Sequence, residues 1–194
     1  DLQSWGLCRG VDWSEAHSGT NGIGTSLVEQ RALLVRQDQH FYSRALGITC
    51  ASAPVFDQQG DLVAALNVTF YGAASDHAPG GLLLSAVTEA ARQIEIDVFH
   101  HSFSHARTVS VPGQSRSGAI LLAVDKDDLA IGATRAARRA LGLEREGAIR
   151  PRPAADLLGR NDDLTGFDKA ERAAVARALA RAEGNVSAAA RALG

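Results

Sequence analysis

The chain has 194 residues, of which 45% are hydrophobic and 22% are charged, and its formal net charge is −2. This composition is typical of a globular protein of one or two domains, and it excludes disordered and fibrous classes. No apolar run is long enough for a transmembrane helix, and residues 1–10 lack the features of a signal peptide. The near-neutral total gives no sign of a nucleic-acid partner, so charge has to be assessed segment by segment.

The two cysteines, Cys8 and Cys50, form no Cys-x-x-Cys pair. We therefore expect no disulfide framework and a cytoplasmic location. The sequence begins at Asp1 and contains no methionine, which suggests that the natural start lies upstream.

The first half of the chain predicts short helices and strands around one hairpin. Ile23–Glu29 predicts a helix that Thr20 or Asn21 can cap, Ala32–Arg36 a strand and Asp38–Leu46 a brief helix. The hairpin joins strands 48–56 and 61–71 through the turn Asp-Gln-Gln-Gly. A long helix is predicted over 81–107 by apolar residues that recur every three to four positions: Leu84, Val87, Ala91, Ile94 and Val98.

The second half predicts a linker, a small mixed unit and a helical tail. Val111–Ser115 is the predicted linker, and strands 119–124 and 129–132 followed by a helix over 134–141 form the unit. Residues 151–166 predict a loop, and helices are predicted over 167–183 and 186–193. In the tail, five basic residues outnumber three acidic ones, so this end of the chain is basic.

Three stretches resemble known families. GVDWSEAHSGTNGIGTSLVEQ, QDQHF and CASAPVFDQQGDLVAALNVT resemble, in this order, the GAF sensor of AcoR-like transcription activators. SGAILLAVDKDDLAIGATRAARRALGL is similar to half of a PAS domain, and ERAAVARALARAEGNVSAAARALG resembles the Fis-type DNA-binding helices of the same activators. The resemblance implies an α+β fold: a GAF-like antiparallel sheet flanked by helices in 1–110, a small PAS-like α/β segment in 116–150, a linker in 151–166 and an all-α Fis-type helix-turn-helix tail in 167–194.

The chain departs from the AcoR-like pattern in two respects. Those activators usually carry an ATPase module, but no G-x-x-x-x-G-K-[ST] loop occurs here and the stretch from Leu143 to Glu171 is far too short for one. The sequence ends at Gly194, where the base-reading helix is expected to begin. The helix-turn-helix is therefore predicted to be incomplete, and no base-reading residue is named.

Three groups of residues were weighed as reactive or phosphate-binding sites. Gly19–Thr25 fits neither the Rossmann nor the P-loop spacing, so a loop that fixes a helix cap is favoured. Cys8, His40 and Cys50 lack the close spacing of metal ligands, and a buried structural cysteine is the stronger expectation. His101 and His105 lie four residues apart on the predicted helix, with no third ligand in view. We predict no catalytic residue, no metal site and no cofactor.

A small-molecule cavity between sheet and helices is what the GAF resemblance implies. An apolar lining with a few polar anchors is typical of ligand pockets, although the aromatic residues are equally compatible with plain core. Ser52 and Asn67 are the most informative, because a polar group on a buried strand needs a partner. The predicted lining consists of Trp5, Trp13, Phe41, Cys50, Ser52, Asn67 and Phe70.

The tail is the predicted DNA-binding element. In isolation, a basic alanine-rich helix is usually only a solvated helix, and the Fis resemblance is what raises DNA contact above that interpretation. Arginines there suit phosphate contacts, which position a protein without reading bases. The predicted DNA-binding residues are Arg177, Arg181, Asn185, Ser187 and Arg191.

These features predict a homodimeric transcription regulator that binds double-stranded DNA in response to an unknown small-molecule effector, and that is not an enzyme. The alternative is a sensor that acts on a partner activator or on RNA polymerase, with the tail serving only to dimerise. An enzyme such as a GAF-related sulfoxide reductase would need several reactive cysteines near one pocket.

Overall fold

The computed structural model describes residues 8–71, 79–111, 118–158 and 167–193. By their internal contacts the residues divide into two compact units, one comprising 1–56 and 62–95, the other 57–61 and 96–194. In the described ranges, no helix is both long enough and apolar enough to cross a bilayer.

The first unit is built on a three-stranded antiparallel sheet. Its strands are β1 (Leu33–Arg36), β2 (Ile48–Phe56) and β3 (Leu62–Tyr71), in the order β1-β2-β3. Two helices precede the sheet, α1 (Glu15–Ser18) and α2 (Gly22–Glu29), and α3 (Gly80–Ser102) follows it. The predicted hairpin, the strand before it and the helix at 23–29 are confirmed.

All nine residues of β2 are buried, because both faces of this central strand are covered. Side chains alternate along a strand, so Ala51, Ala53 and Val55 share one face and pack with Val87 and Ala91 of α3. The opposite face carries Cys50 and Ser52 and lies against α2. This second face therefore holds the polar residues of the strand.

The second unit contains a four-stranded antiparallel sheet in the order β4-β5-β6-β7. Its core is formed by residues such as Leu122, Val124, Ala137 and Leu143. The tail of this unit is a pair of helices in contact. The elements are β4 (Arg107–Ser110), β5 (Leu121–Val124), β6 (Leu129–Ala133), α4 (Arg135–Leu141), β7 (Arg152–Pro153), α5 (Ala154–Leu157), α6 (Phe167–Arg181) and α7 (Val186–Leu193).

The long helix ends earlier than predicted, at Ser102 rather than at Arg107. The chain turns after Phe103, whose ring packs so closely over Gly132 that a Cβ there would overlap it. Arg107–Ser110 then pairs with β5 as an edge strand. His105 consequently lies outside the helix, so the expectation that it shares a helical face with His101 is wrong.

Two further predictions need correction. The brief helix over 38–46 is replaced by two single 3₁₀ turns, Gln37–Gln39 and Ser43–Ala45, with His40 between them. The loop predicted from 151 onward begins instead with β7 and α5, because Arg152 and Pro153 pair with β6 and the Ala154 amide donates to the Asp128 carbonyl over 2.9 Å. An edge position tolerates Pro153, which has no N–H to donate.

The mixed α/β architecture with antiparallel sheets agrees with the predicted α+β class. The predicted division into sensor, PAS-like segment, linker and helix-turn-helix stays a prediction. Along the chain, the boundary between the compact units falls within α3, between Glu95 and Ile96.

Candidate functional site

Four polar side chains meet on the α2-facing side of the hairpin; we call Cys50, Ser52, Asn67 and Thr69 the hairpin polar cluster. The strand register sets Cys50 opposite Thr69 and Ser52 opposite Asn67. The Ser52 hydroxyl donates to Asn67 Oδ1 over 2.5 Å, and Asn67 Nδ2 donates to Thr69 Oγ1 over 2.8 Å. Cys50 Sγ lies 3.4 Å from Thr69 Oγ1. The cluster thus forms a continuous hydrogen-bonded network.

The N-terminus of α2 lies directly against this cluster. A Cβ on Gly22 would come within 2.6 Å of Cys50 Cβ and 2.8 Å of Ser52 Oγ, so only glycine fits without movement. Asn21 caps the helix: its Oδ1 accepts from the Gly24 amide, and its Nδ2 donates to the carbonyls of Trp13 and Gly19. The glycine-rich stretch therefore serves close packing and capping, as the favoured interpretation of Gly19–Thr25 expects.

Burial controls the chemistry of Cys50, which is 5% exposed. Desolvation raises the pKa of this thiol, and the hydrogen bond with Thr69 opposes that effect only partly. The thiolate form needed for metal binding or nucleophilic attack is thereby disfavoured. Within the described parts of the chain, no three His, Cys, Asp or Glu side chains gather as a metal site requires.

The structure brings together three of the predicted ligand-binding residues, Cys50, Ser52 and Asn67. Trp13 is half-buried and contributes its carbonyl to Asn21, and Phe70 is half-buried on β3. Phe41 is 70% exposed, with its ring packed on Gly19. Trp5 lies outside the described residues.

Sequence reasoning missed two members of this region, Thr69 and Gly22. Thr69 could have been found from the alternation of side chains, since it stands two positions after Asn67 on the same strand face. The contact of Gly22 with the sheet carries no sequence signal beyond the glycine itself.

The predicted DNA-binding residues lie on the tail helices and the turn between them. Arg181, Asn185, Ser187 and Arg191 are exposed, and Arg177 is half-buried. Asn185 Oδ1 accepts from the Ala188 amide over 3.0 Å and so caps α7. Ala178 and Ala189 are buried, and their small side chains let the two helices approach closely.

Comparison with known proteins identifies several related regulators. Residues 2–96 match the family described as MimR, N-terminal domain. The acetoin catabolism regulatory protein of Cupriavidus necator is 32% identical over 165 residues, which make up 82% of this chain and 24% of that protein. The propane 2-monooxygenase operon transcriptional activator MimR of Mycolicibacterium smegmatis is 39% identical over 49 residues, 25% of this chain and 8% of the activator.

Among solved structures, the crystal structure of the E. coli DhaR(N)-DhaL complex is similar with a TM-score of 0.35 and 18% sequence identity, covering 75% of this chain and 51% of that one. The chain spans only 24% of the length of the acetoin regulator. The relatives named are regulatory proteins rather than enzymes. The N-terminal match and these relatives support a bacterial transcription regulator family for this chain.

Proposed function

We propose that the chain is a cytoplasmic, ligand-responsive transcription regulator. Its GAF-like N-terminal part binds a small-molecule effector, and its Fis-type tail binds double-stranded DNA as a homodimer. No catalytic step is part of this function. The relation to named transcription regulators supports a regulatory role, and DNA contact and effector sensing are the finer steps that we add.

The tail is the observation that carries the DNA-binding part of the proposal. Two helices meet through buried alanines, and a capped turn at Asn185 separates them. Arg181 ends α6 and Arg191 lies in the last turn of α7, both exposed. Exposed guanidinium groups on two joined helices suit contacts with phosphates of the DNA backbone.

Apolar side chains exposed on the same tail favour dimerisation. Val186 is 71% exposed, Leu193 47% and Val175 41%. A helix-turn-helix usually needs a second copy to reach two half-sites, and these side chains could be covered by that copy. They also suit the alternative function, in which the tail only dimerises and the sensor acts on a partner activator or on RNA polymerase.

Measuring DNA binding by the complete polypeptide on its own upstream region, across a salt series, tests the proposal. We expect binding that weakens steeply with salt, because each neutralised phosphate adds about 0.9 to the slope of log K against log salt. Replacing Arg181 and Arg191 by glutamine should lower that slope by roughly 0.9 for each phosphate that is no longer neutralised. The matched control is Arg139→Gln, an exposed arginine outside the tail. Absence of binding by a folded, dimeric chain would instead favour the partner-activator function.

A further inference from the structure

His40 is a buried histidine with one ring nitrogen left unpaired. It lies between the two 3₁₀ turns that follow β1 and is only 6% exposed. Its Nδ1 lies 3.2 Å from the Gln37 carbonyl oxygen. Its Nε2 is shielded from solvent and has no hydrogen-bond partner in the described part of the chain. A buried polar atom without a partner is costly in a native protein and calls for an explanation.

The contact with Gln37 determines which nitrogen carries the proton. A carbonyl oxygen only accepts, so Nδ1 has to donate, and in the neutral ring Nε2 is then a bare acceptor. Burial lowers the pKa of His40 and so favours this neutral form, against the smaller effect of the Gln37 carbonyl. The unpaired atom therefore needs a hydrogen-bond donor.

The residues directly after His40 have the composition of a ligand site. Phe41 is 70% exposed, Leu46 is 49% exposed and Tyr42 is 39% exposed, an unusual density of large apolar side chains at the surface. This segment is held in place from outside: the Phe41 amide donates to the Thr20 carbonyl, and the Tyr42 hydroxyl donates to the His17 carbonyl. Apolar surface beside a single unsatisfied polar atom is the combination that small-molecule sites use.

We propose that His40 Nε2 accepts a hydrogen bond from the effector, and that the effector is a small uncharged molecule with a hydroxyl group. A hydroxyl supplies the missing donor without bringing a charge into a buried site, whereas an aliphatic amine would be charged at neutral pH. Since Nε2 is covered in the structure, the segment 40–46 has to shift to admit the ligand. This inference rests on the proposed sensor function and names the group that the effector contacts.

Nitrogen NMR of the full chain with ¹⁵N-labelled histidine tests the proposal without any mutation. Each of two alcohols, isopropanol and cyclohexanol, is compared with its ketone, acetone or cyclohexanone, which has the same carbon skeleton and no hydroxyl. We expect a bare Nε2 signal from His40 that moves to the hydrogen-bonded position with an alcohol and stays with the ketone. Exposed His100 is the internal control and should not respond.

Three results would overturn the inference: a His40 ring protonated on Nε2, an Nε2 already hydrogen-bonded before any alcohol is added, or no alcohol-specific shift. As a second test, His40→Phe should weaken binding of the responding alcohol by at least about tenfold, the effect of one hydrogen bond, while His100→Phe leaves it unchanged. Far-UV circular dichroism checks that the His40 variant is folded. The salt-dependent DNA binding of the tail is measured separately, so failure of either test leaves the other result intact.

Discussion

The Ser52 hydroxyl donates to Asn67 Oδ1, and these two residues stand directly opposite each other in the β2–β3 hairpin. Ser52 is fully buried, at 0% exposure, so Asn67 is its acceptor inside the protein rather than a substitute for water. Asn67 passes the interaction on through Nδ2 to Thr69. The two polar residues that the sequence offered as ligand anchors are therefore hydrogen-bonded to each other, and their first role is to hold the hairpin together.

Replacing Asn67 by leucine should destabilise the first unit. The change removes the acceptor and leaves the Ser52 hydroxyl buried without a partner, at a cost of about 1–3 kcal/mol in the free energy of unfolding. Urea denaturation of the full chain measures the effect. The double variant Ser52→Ala, Asn67→Leu removes both polar partners, and we expect it to be more stable than Asn67→Leu alone. A double variant that loses the sum of the two single effects would contradict the assigned pair.

Gly22 and Gly81 should respond in opposite directions to substitution by alanine. A methyl group on Gly22 would meet Cys50, Ser52 and Asn67 at 2.6, 2.8 and 3.2 Å, so we expect a loss of about 1–3 kcal/mol from overpacking. Gly81 also begins a helix but has nothing within 4 Å of an added Cβ. There alanine should add about 0.4–1 kcal/mol of stability, since it restricts the unfolded chain. Equal effects at both positions would show that α2 does not press on the sheet.

The sequence predicts local structure well where pattern and turn chemistry agree. The hairpin was accessible because two apolar strands flank Asp-Gln-Gln-Gly, and Gly60 in that turn adopts a φ of 85°, which glycine accommodates. Ser52 and Asn67 were correctly singled out together, because polar residues in buried strands need partners. Their mutual pairing depends on the strand register, which the sequence alone leaves open.

The features that escaped prediction depend on contacts between distant residues. Arg107–Ser110 continues the helical spacing of the preceding residues, and only its pairing with β5 makes it a strand. Arg152 and Pro153 form a strand because β6 lies beside them. The burial of His40 likewise arises from the packing around its segment, and no neighbouring residue in the sequence indicates it.

The two cysteines should differ sharply in reactivity. Cys8 is exposed, whereas Cys50 is buried and its pKa is raised by desolvation, so little thiolate forms there near neutral pH. We expect the thiol reagent DTNB to modify Cys8 rapidly in the native chain and Cys50 only after denaturation. Cys8→Ser and Cys50→Ala assign the two reactions. Fast modification of Cys50 in the native chain would contradict its protected place in the hairpin polar cluster.

Stability should fall as the pH drops past the titration of His40. Burial lowers the pKa of His40 in the folded chain, so the unfolded state binds the proton more readily. The stabilisation is therefore complete above about pH 6.5, the usual histidine value, and is lost as the pH falls from there toward the lowered value. Urea denaturation between about pH 5 and 7.5 measures it. His40→Gln should flatten this part of the profile, and an unchanged profile would mean that His40 does not contribute.

Arg138 should be far less replaceable than its neighbour Arg139. Arg138 is 2% exposed, and its guanidinium donates to three backbone carbonyls: Nε to Ala133, Nη1 to Glu144 and Nη2 to Gln58. Burial lowers its pKa, and the charges of Glu144, Asp61 and Asp57 oppose this effect, so the group stays a cation that depends on these acceptors. Arg138→Met leaves the carbonyls without donors and should cost about 1–3 kcal/mol.

Two companion variants make this prediction specific to the geometry. Arg139 is exposed, so Arg139→Met should change stability by no more than about 0.5 kcal/mol. Arg138→Lys keeps the charge but has a single ammonium group, which cannot serve three carbonyls in separate directions, so we expect it to be destabilised as well. Urea denaturation of the three variants decides the question. A fully stable Arg138→Lys would show that charge alone matters at this position and that the planar fork of donors does not hold the Gln58 turn against residues 133 and 144.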